Sequence, residues 1–70
     1  MRIDLYANWS DVIQHSATDL PEDQPRDAIV QTARALLADH PHTGTAAVRA
    51  DNSAPRLFVY SDGRVRDAIL

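Results

Sequence analysis

From Pro25 to Asp39 the chain reads PRDAIVQTARALLAD, with no glycine, no internal proline and strong helix formers in its second half. Ile29, Ala33, Leu36 and Leu37, with Val30 beside them, recur at helical spacing and share one stripe. Arg26, Asp27, Gln31 and Arg34 point elsewhere. The pattern predicts an amphipathic helix over 25–39. Pro25 suits the first helical position, where no amide donor is needed, and Pro41 ends the helix at Asp39 or His40. His40 is then placed to bond the last carbonyls. A helix with one apolar stripe must be covered, and the β-like segments on both sides are the natural cover.

Those segments follow in order. Arg2 to Tyr6 alternate polar and apolar, so a short strand there turns Ile3 and Leu5 inward and Arg2, Asp4 and Tyr6 outward. Asn8, with Asp11 three residues on, resembles a capping box. It predicts a turn or two of helix with Trp9, Val12, Ile13 and Ser16 on one side and Trp9 as a core anchor. Residues 16–24 read as a polar linker with Leu20 its inward contact. Thr43 to Ala50 reads as a strand rich in small residues, and Asp51 to Pro55 as a reversal. Arg56–Tyr60 and Arg64–Ile69 flank Asp62-Gly63, a strong hairpin signature. The expected fold class is α+β: a small single-layer antiparallel or mixed sheet of about four strands covered by one long helix. The expected order is strand, short helix, long helix and three strands, in one domain spanning 1–70.

The hairpin admits two registers. A two-residue Asp62-Gly63 turn pairs Tyr60 with Val65. A three-residue loop, Ser61-Asp62-Gly63, with the glycine left-handed, pairs Tyr60 with Arg64, Val59 with Val65 and Phe58 with Arg66. The second separates the faces more cleanly and is preferred. It turns Leu57, Val59 and Val65 inward and gathers Arg56, Phe58, Tyr60, Arg64 and Arg66 on the other side. Such a surface suits an acidic protein partner, because arginine and tyrosine are common interface anchors. It would also suit single-stranded nucleic acid, with bases on the rings and guanidinium groups on phosphates. Ordinary cross-strand pairing on a solvated face accounts for it equally well. A second candidate surface is the acidic group Asp19, Glu22, Asp23 and Asp27, which could meet a basic partner. Much of it is accounted for by the positive end of the helix dipole.

Charge and composition narrow the classes. The 70 residues carry seven arginines, no lysine, ten acids and a net charge of −3. Residues 1–39 hold three arginines against seven acids, and residues 40–70 four arginines against three acids. This balance disfavours nonspecific binding to a phosphate backbone, which needs a concentrated positive surface. There is no cysteine, so neither a disulfide nor a thiolate metal site is available. His40-Pro41-His42, with Asp39 and His15, falls short of a closed zinc site, and no cofactor is expected. Ser10, Asp11 and His15 lack a nucleophile-elbow context, the glycines are only Gly44 and Gly63, and the aspartates read as surface residues. We therefore expect a non-enzymatic module. No signal peptide or apolar span is visible, so the expectation is a cytoplasmic chain without membrane contact or small-molecule substrate. It would act by protein–protein contact, as a regulator or inhibitor of a larger macromolecule. The alternatives are a single-stranded nucleic-acid binder using the same face and a structural homodimer joined through a sheet edge.

Overall fold

The helix forms where its stripe predicts, against a sheet with one strand more than expected. In the computed structural model, which describes residues 1–50 and 53–68, the elements are β1 (Arg2–Ala7), β2 (Ile13–Ala17), α1 (Arg26–Asp39), β3 (Thr43–Arg49), β4 (Leu57–Tyr60) and β5 (Val65–Asp67). The sheet order is β2-β1-β3-β4-β5 and every pairing is antiparallel. The fold is thus a small α+β arrangement of one five-stranded sheet and one long helix. No helix among the described residues is long and apolar enough to cross a membrane.

Alternation in the strands and the stripe on α1 meet in one layer. Ile3 and Leu5 of β1, Ala46 and Val48 of β3, and Leu57 and Val59 of β4 face Ile29, Val30, Ala33 and Leu37. The register aligns them in rows, with Ile3 opposite Val48 and Val48 opposite Leu57, and with Leu5 opposite Ala46 and Ala46 opposite Val59. Leu20, Leu36 and Val65 pack against the rim of this cluster. Met1 joins it as well, and its backbone exchanges hydrogen bonds with Leu20 at 2.8 and 3.2 Å. Pro25 is the N-cap rather than the first helical residue, and its carbonyl accepts from the amides of Ala28 and Ile29. At the other end the Nδ1 of His40 donates to the Leu36 carbonyl at 2.9 Å.

The short helix after Asn8 is replaced by β2. A helix of one or two turns gains few hydrogen bonds for its nucleation cost, whereas a strand here extends the ladder along the free side of β1. Asn8 caps nothing and instead donates its amide to the His42 carbonyl at 3.0 Å. Trp9 is consequently no core anchor: it sits in the turn, 65% exposed, in an edge contact with the His42 ring. The expectation of surface aspartates fails at Asp4, which is fully buried. The reversal over Asp51 to Pro55 falls partly on residues outside the described set, as does the expected end of the last strand at Ile69.

Candidate functional site

Helix α1 covers one face of the sheet, and the opposite face carries the predicted hairpin side chains. The three-residue register forms, with Val59 opposite Val65 and Phe58 opposite Arg66. The Tyr60 amide donates to the Arg64 carbonyl at 2.9 Å and Gly63 takes a φ of 96°, the left-handed geometry that favours glycine. Across each pair a guanidinium lies on a ring: Arg64 stands 5.2 Å from the Tyr60 centroid and Arg66 5.1 Å from that of Phe58. Arg64 also pairs with Asp62 at 2.8 Å. The Arg64 backbone amide, reinforced by that guanidinium, holds the exposed Asp62 carboxyl below its usual range. Arg66 has no carboxylate partner among the described residues.

Arg56 does not join this face. It precedes β4, and its Nη2 reaches Met1 Sδ at 3.5 Å, at the margin of the core on the helix side. Tyr6 takes its place in the site. The sequence turned Tyr6 outward but could not bring it near Phe58 and Tyr60, because that depends on β1 pairing with β3. In the observed order Tyr6 lies opposite Thr45, which lies opposite Tyr60, and Ala47 lies between Asp4 and Phe58. Gly44 and Thr45 of β3 therefore form a floor between aromatic walls, while Ala47 is covered by its neighbours. The result is an open groove of about 880 Å³ whose lining includes Tyr6, Thr45, Phe58, Tyr60 and Arg66, closed at one end by Asn8, Ser10 and Asp11.

Two irregularities shape that end. The register of β1 slips against β2 between Leu5 and Tyr6, and against β3 between Tyr6 and Ala7, leaving Gly44 in the second bulge. Such bulges bend a strand and increase its twist. Gly44 leaves little room there, since a Cβ would lie 3.0 Å from Asn8 Cβ.

Beside the groove, Asp4 is enclosed by Ser16 Oγ, which donates to its Oδ1 at 2.7 Å, and by Arg2 Nε, which donates to Oδ1 at 2.8 Å. Arg49 Nε stands 3.2 Å from Oδ2 but poorly aligned for a hydrogen bond, so charge rather than hydrogen bonding holds that contact. Burial alone would raise the carboxyl's pKa; the Ser16 bond, with Arg2 and Arg49, outweighs it and sets the value below the usual range. The sequence does not show this cluster, because its local pattern puts Ser16 at the end of a short helix or the start of a linker and not opposite Asp4 on a strand.

The remaining candidates are dispersed. Asp19, Glu22, Asp23 and Asp27 are all exposed; Glu22 lies 3.5 Å from the terminal amine and Asp27 occupies the first turn of α1. His15 stacks on His40 with centroids 4.3 Å apart, while His42 meets Trp9, so the two histidines flanking Pro41 have different neighbours. Ser10 and Asp11 line the groove, whereas His15, opposite Leu5, belongs to the helix side of the sheet. Among the described residues no three metal-ligating groups converge. No protein-family model, no curated protein and no solved structure matches the chain.

Proposed function

We propose that the chain is a binding module that docks a protein partner on the open face of its sheet. The observation that carries this reading is the pair of guanidinium–aromatic contacts standing beside an open groove. Phe58 and Tyr60 are half-buried beside the exposed Arg64 and Arg66, with no helix over them among the described residues, and aromatic side chains with arginine are the composition of interface anchors. The same contacts weigh against the nucleic-acid alternative. One face of the Phe58 ring and one of the Tyr60 ring are already occupied by arginine, and base stacking needs free ring faces.

The test is to isolate the partner from nuclease-treated lysate with tagged protein and then to titrate the two purified proteins. Tyr60→Ala and Arg66→Ala should keep the wild-type circular dichroism spectrum and weaken binding about tenfold or more. Variants that fold and bind like wild type would remove the face from the function. Recovery of the partner only when nucleic acid is left intact would favour the alternative.

A further inference from the structure

Resting on the docking reading above, we propose that the groove holds an extended acidic polypeptide segment, with one apolar side chain over Gly44 and Thr45 and a carboxylate on Arg66. Dimensions come first. The walls stand on β1 and β4, the two strands flanking β3, so they are two strand spacings apart, roughly 9.6 Å. That admits one extended chain and excludes a helix with its side chains, about 10–12 Å across. The floor suits an inserted side chain. Thr45, half-buried, lines the groove beside Gly44, and neither projects far enough to fill the space between Tyr6 and the Phe58–Tyr60 wall.

Charge selects the kind of segment. The open face carries Arg2, Arg49, Arg64 and Arg66 against Asp4, Asp11 and Asp62. Asp4 and Asp62 are engaged by arginines of the same face. Among the other described residues three arginines stand against six acids: Asp19, Glu22, Asp23, Asp27, Asp39 and Asp67. Among the described residues, then, an acidic segment is repelled by the rest of the surface and accepted here, where Arg66 has no carboxylate partner. The acceptance is also directional. Asp11 closes one end of the groove, so the negative end of the segment lies toward Arg66 and away from the Asn8 turn.

The full chain, labelled with heavy nitrogen, is titrated with three probes of equal length. They are a glutamate-rich peptide carrying leucine and proline, the same peptide with lysine for glutamate, and oligothymidylate. The acidic peptide should shift the amide signals of Thr45, Ala47, Phe58 and Tyr60 and leave those of α1 in place. Arg66→Glu should weaken it about tenfold or more, and Thr45→Phe, which fills the floor, should abolish it. The proposal is overturned if the lysine peptide or the oligonucleotide shifts the same signals more strongly. It is equally overturned if binding survives Thr45→Phe, or if the acidic peptide shifts nothing at millimolar concentration. Should the peptide fail while Tyr60→Ala and Arg66→Ala still abolish the natural partner, the face remains the docking site and only the acidic, extended class is lost.

Discussion

Asp4 is the residue on which the open side of the sheet depends. It places a full negative charge where no water reaches it, and Ser16, Arg2 and Arg49 converge on it from three strand positions. Removing the buried carboxylate takes the counter-charge from Arg49 and the acceptor from Ser16, so Asp4→Ala should cost about 3 kcal/mol, a large part of the stability of a chain this small. Asp4→Asn should cost somewhat less while releasing Arg49 from its place. The pH dependence has a definite sign. Because the folded carboxyl titrates below its unfolded value, its contribution is complete above about pH 4 and is lost as pH falls through the folded value. Urea midpoints measured from neutral to strongly acidic pH should therefore drop in the wild type and drop less steeply in Asp4→Asn. Equal acid limbs in the two proteins would show that Asp4 does not supply the pH dependence. Nothing in the R-I-D-L-Y alternation distinguishes Asp4 from Arg2 or Tyr6, which also point outward. Burial of the aspartate requires a serine on the neighbouring strand and an arginine on the next. Trp9 shows the opposite case, where size argued for the core. The core is closed without it by shorter side chains from three strands and the helix.

Elements differed in how far local pattern decided them. The long helix and the β4–β5 hairpin are each specified by nearby residues, an apolar stripe in one and a glycine-bearing loop with alternating faces in the other; the helix forms with Pro25 as its cap, and the hairpin takes the preferred register with Arg56 outside β4. β2 is specified from outside. Its sequence, IQHSA, has no strong period, and the strand exists because β1 offers an unpaired edge and Asp4 offers Ser16 a bond. Two glycines test the separate roles of turn and close approach. At Gly63 an added Cβ meets nothing within 4 Å, so Gly63→Ala carries only the left-handed backbone cost, about 1 kcal/mol. At Gly44 the methyl would stand 3.0 Å from Asn8 Cβ and 3.2 Å from its Cα, tight enough that Asn8 must give way, so Gly44→Ala should cost about 2 kcal/mol and displace the Asn8 end of the groove. Thermal melts rank the two, and amide shifts at Asn8 and Tyr6 should move only for Gly44→Ala. A smaller loss at Gly44 than at Gly63 would mean that the bulge relaxes freely.

At the scale of the whole molecule the groove is a product of strand order. Tyr6, Thr45 and Tyr60 come from three separate stretches and become neighbours only because β1 lies beside β3, a pairing that no local signal announces. That is why the hairpin half of the site was legible from the sequence and the β1 half was not. The same pairing has a consequence for how the chain acquires its shape. The central seam joins Ile3 to Val48, 45 positions apart in the sequence, and closing so long a loop must precede most of the burial that rewards it. Each flanking hairpin is too small to stand alone in water. Cleavage in the linker between Ala17 and Pro25 should therefore leave two fragments that are unfolded separately and regain the amide spectrum of the intact chain only when mixed; a folded 25–70 fragment would show that β1 is dispensable. During synthesis the first strand emerges long before its main partner, so the protein has no half-built form to offer its surroundings: the surface that would bind and the core that supports it come into being in the same step.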